Sequence, residues 1–258
     1  MNNYAVLVLS CDKYADLWVP FFSLLDKFWP NRPFPLYLGS NTKKYSSSSV
    51  KTILSGKPVD WSTDLLSILG KVKEKYIFLW IDDFFPIAEV HSERFLDGFK
   101  LLEQKQANHI HVAPDDATFR RKSGKIFAEY VRGMPYRINA CGFWNKEHLT
   151  SLLIPGENPW KFEIMGSYRS SYYDGYYFFT QPLIEYIRVV DKGVISKRAY
   201  EWCASQGILL DVTRRHVESI VGEVKSAIIN GMFQIILLIP WRFRVGIMEK
   251  MRKLLASY

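Results

Sequence analysis

Two adjacent carboxylates, Asp82 and Asp83, stand where the apolar run Tyr76-Ile-Phe-Leu-Trp-Ile81 stops, just ahead of Phe84, Phe85 and Pro86. Neighbouring carboxylates repel unless a cation or a shared proton relieves them, and a Mg²⁺ or Mn²⁺ ion bridging a pyrophosphate is one such cation. The plain alternative is a strand-end turn with solvated acids, into which the following aromatic residues fit poorly. A second polar cluster, Ser10-Cys-Asp-Lys-Tyr14, follows the apolar run Val6-Leu-Val-Leu9. There Asp12 can accept from a uracil or ribose group, Lys13 can meet a phosphate and Tyr14 can stack on a base. Asp12 or Asp16 can equally cap the helix that follows. The two loops together make a stronger case than either alone.

Elements must bring these loops to one place. Short β-rich apolar runs, each followed by a helical pattern, fill the first half of the chain, which predicts βα units around a largely parallel sheet. The strand candidates are Tyr4 to Leu9, Leu36 to Gly39, Tyr76 to Ile81 and His109 to Ala113. Leu65, Ile68, Leu69 and Val72 repeat at helical spacing, as do Phe95, Phe99 and Leu102, so both segments should lay one face on the sheet. Pro20 places the start of the first helix near Val19. In such a fold the ends of the first and third of these strands lie beside the ligand cleft. Ser46 to Ser49 reads as a surface loop, and 115–191 is an irregular, aromatic-rich stretch of the kind that carries binding loops.

Composition narrows the classes. A chain of 258 residues with 48% hydrophobic content can bury one sizeable core. Cys11, Cys141 and Cys203 lie far apart, which argues against a disulfide framework and against a zinc site, and implies a reducing compartment. His109 and His111 alternate on one strand face, a structural more often than a metal-binding arrangement. Arg120, Arg121 and Lys122 read first as a solvated turn and second as a partner for a leaving diphosphate. No secretory signal is visible, and the longest apolar run, Ile228 to Pro240, is shorter than the roughly 20 residues of a spanning helix.

The net charge of +8 is uneven, because eight Lys or Arg against three Glu from Arg214 onward place +5 in the last 45 residues. Ile247, Met248, Met251, Leu254 and Leu255 fall at helical spacing with Lys250, Arg252 and Lys253 beside them. That pattern suits an interfacial helix on an anionic membrane surface. A nucleic-acid-binding protein is the rival suggested by charge, but the charge sits in an amphipathic tail and no nucleic-acid motif is present, so no nucleic-acid partner is expected.

Three stretches carry a resemblance: Ser10-Cys-Asp-Lys-Tyr-Ala-Asp-Leu-Trp-Val-Pro-Phe-Phe22, Leu36-Tyr-Leu-Gly-Ser-Asn41 and Trp80-Ile-Asp-Asp-Phe-Phe85. They resemble a family of bacterial capsule and O-antigen glycosyltransferases with GT-A architecture, over most of the chain to about Asp211. The resemblance implies an α/β, GT-A-like (Rossmann-like) fold with a mixed, mostly parallel sheet flanked by helices, to which the residue pattern adds a C-terminal amphipathic helical segment. The resemblance implies a catalytic domain over 1–212, with a nucleotide-sugar-binding half at 1–113 and an acceptor-binding half at 114–212, and the charge pattern adds a basic tail at 213–258. Ser10, Asp12, Lys13, Tyr14, Asn41, Asp82 and Asp83 would bind the nucleotide-sugar donor, UDP-linked by analogy. Asp83, and Asp82 beside it, would hold the diphosphate through a divalent metal (Mn²⁺ or Mg²⁺), although the motif here is Asp-Asp and not the spaced Asp-x-Asp.

Asn158-Pro-Trp-Lys-Phe-Glu163 is similar to the acceptor-side segment of these enzymes. An inverting transfer needs a base for the acceptor hydroxyl, and a carboxylate beside Trp160 and Phe162 can have its pKa raised towards that task. Glu163 is the expected base, with Glu157 and Asp174 as competitors, and Trp160 is the expected sugar platform. The acceptor would be a lipid-linked saccharide at the cytoplasmic face of the cell membrane, with the protein held there peripherally. A saccharide-binding module of the same fold without catalysis is the remaining alternative.

Overall fold

A computed structural model of the chain describes residues 3–113, 126–130, 132, 137–191, 193–218 and 243. The basic cluster Arg120 to Lys122 and all but the first residues of the proposed tail (219–242 and 244–258) lie outside the described residues.

The chain opens with β1 (Tyr4–Leu9), a 3₁₀ turn (Asp12–Leu17), α1 (Trp18–Phe28), β2 (Leu36–Ser40) and β3 (Lys51–Leu54). Next come α2 (Trp61–Leu69), β4 (Tyr76–Ile81), β5 (Phe84–Pro86), α3 (Ser92–Gln104) and β6 (His109–His111). The second half holds β7 (Phe127–Glu129), β8 (Gly142–Asn145), α4 (Lys146–Leu152), the single helical turn α5 (Pro159–Lys161), a π-helical turn (Phe162–Gly166) and α6 (Ser167–Ser170). It ends with β9 (Tyr176–Phe179), β10 (Tyr186–Arg188), β11 (Val190–Asp191), β12 (Val194–Ile195) and α7 (Lys197–Ser205).

Among the described residues the main sheet has eight strands in the order β3-β2-β1-β4-β8-β6-β9-β7. The strands β3, β2, β1 and β4 are mutually parallel. Antiparallel β8 separates them from β6 and β9, which are parallel to each other, and β7 closes the edge antiparallel to β9. This mixed, mostly parallel sheet flanked by helices is the α/β layering expected from the sequence. The chain leaves β1 towards β2 on one side and later returns to place β4 on the other. The strand order therefore reverses between β1 and β4, the position where open α/β sheets leave a crevice at the carboxyl ends of their strands.

Strands buried on both faces need apolar residues at every position, and YAVLVL and YIFLWI supply them. Alternation then divides them between two cores. Val6, Val8, Phe78 and Trp80 pack with Phe21 and Leu25 of α1 and Phe95 and Phe99 of α3. Ala5, Leu7, Ile77 and Leu79 pack with Leu65 and Ile68 of α2 and Leu149 of α4. Asp60 caps α2 by accepting from the Thr63 amide at 2.9 Å, and Asn145 and Ser196 cap α4 and α7 in the same manner. The first helix begins at Trp18 and is preceded by the 3₁₀ turn, an element not read from the sequence, which puts Pro20 in its first turn. Among the described residues no helix is long and apolar enough to cross a membrane.

Candidate active site

The ends of β1 and β4 meet at the reversal point, and the two acids at the end of β4 part company there. Asp82 turns inward, 4% exposed. Its carboxyl accepts from the Ser10 hydroxyl, which in turn accepts from the Trp18 indole N–H at 2.7 Å. Burial, and after it the neighbouring Asp83, pushes the Asp82 carboxyl well above the usual carboxylate range, with the Ser10 hydrogen bond and Arg215 opposing. Asp82 and Ser10 thus satisfy one another inside the protein.

Asp83 is different. One carboxylate oxygen, Oδ1, is buried and has no hydrogen-bond partner among the described residues. Burial pushes its pKa up to about 6, while Arg188 and Arg215 pull the other way. Its backbone carbonyl accepts from the Val189 amide at 2.8 Å, at the mouth of a two-stranded ribbon in which β5 pairs antiparallel with β10. The ribbon sets Arg188 opposite Phe84, with its guanidinium over the ring at 5.0 Å, and Tyr186 stacks on the same ring at 4.5 Å.

Glu163 comes from the second half of the chain. It sits in the π-helical turn that follows the Asn158-capped α5, a rare geometry that often marks functional sites. Gly166 permits the turn to lie close, since a Cβ there would come within 2.4 Å of Ile138 Cδ1. Desolvation raises the Glu163 carboxyl to about 7, opposed by a hydrogen bond from the Ala140 backbone and by the Arg188 charge. Asp83 and Glu163 share more than Arg188. Cys141, pushed up to about 12 mainly by burial, lies in the electrostatic field of both carboxylates, and so does Tyr186. Arg188 acts on the charge of both Asp83 and Glu163, and Tyr186 and Cys141 feel both, so these three residues link the two carboxylates electrostatically.

The other expected residues divide. Tyr14 is close enough to feel the charges of Asp83 and Asp82, and Lys13 is exposed beside it. Asp12 does not cap the following helix: its carboxylate accepts from the amides of Thr42 and Lys43, each at 3.0 Å, and from the Thr42 hydroxyl. Burial alone would raise its pKa, but those hydrogen bonds prevail and hold it below the usual carboxylate range. Asn41 accepts from the Asp12 amide at 3.1 Å and donates to Asp64 at 2.8 Å. Asp12 and Asn41 thus tie the first loop to the end of β2. Trp160 is 44% exposed, three residues before Glu163. Of the competing acids, Glu157 is held by Arg169 through contacts of 2.9 and 2.6 Å, and Asp174 pairs with exposed Arg132. His109 is buried and donates through Nδ1 to the Phe143 carbonyl at 2.9 Å.

Among the described residues no three His, Cys, Asp or Glu side chains are grouped to hold a metal ion. The orphaned oxygen of Asp83 nevertheless fits a Mg²⁺ or Mn²⁺ ion that takes most of its ligands from phosphate and water, the usual manner in which these ions meet a nucleotide.

No protein-family model and no curated protein matches the chain. Its fold is similar to crystal structures of S. aureus TarS. With TarS 1–349 the TM-score is 0.43 at 12% identity, over 70% of this chain and 60% of that one. With the complex of TarS 1–349 and UDP-GlcNAc it is 0.44 at 12% identity, over 82% of this chain and 68% of that one. The chain thus spans 60% of the length of the first of these. Likeness at this level does not reach function.

Proposed function

We propose that the chain is a nucleotide-sugar-dependent glycosyltransferase that moves a sugar, with inversion, from a UDP-sugar to a lipid-linked saccharide in bacterial surface-polysaccharide assembly. The observation that carries this reading is the environment of two acids that share Arg188, Tyr186 and Cys141 as electrostatic neighbours: Asp83, with a buried carboxylate oxygen that lacks a partner among the described residues, and Glu163, with a carboxyl raised to about 7.

The division of labour follows from those environments. Tyr14 and Lys13 lie on the β1 side, where a base and its phosphates would rest. Asp83 would hold a divalent ion on the donor diphosphate, and such an ion supplies charge stabilisation for the departing nucleotide. Trp160 offers an exposed ring to a sugar face. An acid poised near 7 is deprotonated often enough to accept a proton and basic enough to want it. Glu163 takes the proton of the acceptor hydroxyl as its oxygen bonds to the anomeric carbon. The bond from that carbon to the diphosphate oxygen breaks, and its electron pair leaves with the nucleotide. Arg188, whose charge acts on both carboxylates, would face the developing negative charge. The reading places the protein peripherally at the cytoplasmic face of the membrane, where lipid-linked acceptors are found.

Calorimetric titration of UDP with and without Mn²⁺, on the wild type and on Asp83→Ala, tests the donor site. Mn²⁺-dependent binding that disappears in the variant is expected. Failure of UDP, GDP, CMP and dTDP alike to bind would overturn the reading and leave a saccharide-binding module.

A further inference from the structure

Arg215 lies far from the donor loop in sequence and against it in space. Its guanidinium makes a two-point contact with Asp16, at 2.8 and 3.1 Å, and donates to the Lys13 carbonyl at 2.8 Å. It also covers one face of the Tyr14 ring, 4.2 Å from the centroid. Both partners of the ion pair are withdrawn from water, with side chains 8% and 6% exposed, and Arg214 approaches the same carboxylate at 3.7 Å.

The segment that delivers this arginine is itself anchored. Asp211 accepts from the Thr213 amide and hydroxyl at 3.0 and 2.6 Å and from the Arg214 amide at 3.2 Å, which closes a turn. Immediately after Arg215, the Ile195 amide donates to the His216 carbonyl at 3.0 Å, and the Glu218 amide donates to the Ile195 carbonyl at 2.7 Å. Residues 211–218 thus form a strap fastened at β12 that reaches back across the 3₁₀ turn Asp12–Leu17.

A buried ion pair contributes little net stability once desolvation is counted, but it fixes geometry, because either charge left alone is costly. The bidentate fork also has a directional demand that an ammonium cannot meet. We infer that Arg215 is a positioning residue for the nucleotide: through Asp16 and Lys13 it fixes the turn Asp12–Leu17, and through its stack it fixes the orientation of the Tyr14 ring, which also packs on the core. The inference rests on the donor-site reading above, which gives Tyr14 its ligand. It makes the segment 211–218 part of the donor site, and adds a support to the 3₁₀ turn, whose own start carries no side-chain cap.

The test compares wild type, Arg215→Ala, Arg215→Lys and the double variant Asp16→Asn with Arg215→Gln, all in the full chain. The double variant keeps the test alive if the single one strands a buried carboxylate and unfolds. Amide hydrogen exchange in the absence of ligand reports the strap directly. Exchange at 12–17 should rise about tenfold or more while β1 and β4 stay protected. UDP affinity in the presence of Mn²⁺ should fall about tenfold, with Arg215→Lys closer to Arg215→Ala than to wild type. Unchanged exchange at 12–17, or local exchange without a loss of UDP affinity, overturns the inference. A wild type that binds no nucleotide overturns the donor-site reading instead, and the exchange data still decide whether the strap orders the loop.

Discussion

At the scale of single residues, the site depends on what the surroundings do to identical functional groups. Desolvation holds Glu163 near 7 against a solution value of 4.5. Two consequences follow with opposite signs for activity and stability. Turnover should climb about tenfold per pH unit below about pH 7 and level off above it, as the base loses its proton. Stability runs the other way. A carboxyl whose folded pKa exceeds its unfolded one contributes fully below about 4.5 and progressively less as pH rises through about 7. Glu163→Gln should therefore lower kcat by about 10²- to 10⁴-fold yet melt at a higher temperature than wild type at pH 8; a pH series of kcat and Tm on both proteins checks this. The acid pair makes a second contrast. Asp82, buried and favouring its neutral form, should tolerate an amide, so Asp82→Asn keeps Mn²⁺-dependent UDP affinity within about threefold. Asp83→Asn should lose it, and calorimetry on the two variants separates them. The sequence made the pair visible, because two acids after a continuous apolar strand stand out. It left open which acid faces the ligand, since that is decided by Ser10, just past β1, and Trp18, at the start of α1.

At the scale of elements, legibility tracked how local the determining contacts are. The strands β1 and β4 and the helices α2 and α3 were readable because apolar runs and helical repeats set them. The pairing of β5 with β10 was not, for each strand is three residues long and its partner lies about a hundred residues away. With it went Tyr186 and Arg188, whose alternation about Ile187 is too short to be a signal. The π-helical turn under Glu163 also escaped, since Pro159 marks a helix start but nothing local marks the wider turn. Antiparallel β8 is the element on which the two halves of the sheet depend, and Gly142 is the reason it fits. A Cβ there would come within 2.7 Å of both the Ile110 carbonyl and the His109 ring, and the carbonyl belongs to a paired strand that cannot swing aside. Gly142→Ala should cost about 1–3 kcal/mol by overpacking, read as a lower urea midpoint with an unchanged m-value.

At the scale of the whole molecule, the charge distribution separates two tasks. The residues before Arg214 carry only +3 of the net +8, while the last 45 carry +5. Arg214 and Arg215 belong to the strap over the donor loop, so the basic residues left for other work are Lys225, Arg242, Arg244, Lys250, Arg252 and Lys253. If those beyond Ile247 serve an anionic membrane surface, their attraction is worth about 1 kcal/mol per charge and is screened within a Debye length. A full-length triple variant, Lys250→Glu with Arg252→Glu and Lys253→Glu, removes three positive charges and adds three negative ones. Its co-sedimentation with vesicles rich in anionic lipid should fall by more than about tenfold at 0.1 M salt, while UDP affinity in solution stays at the wild-type value. Wild-type binding should weaken as salt rises and vanish on neutral vesicles. Equal sedimentation of variant and wild type would instead assign the C-terminal charges to something other than lipid, and would detach the donor-site reading from any place at the membrane.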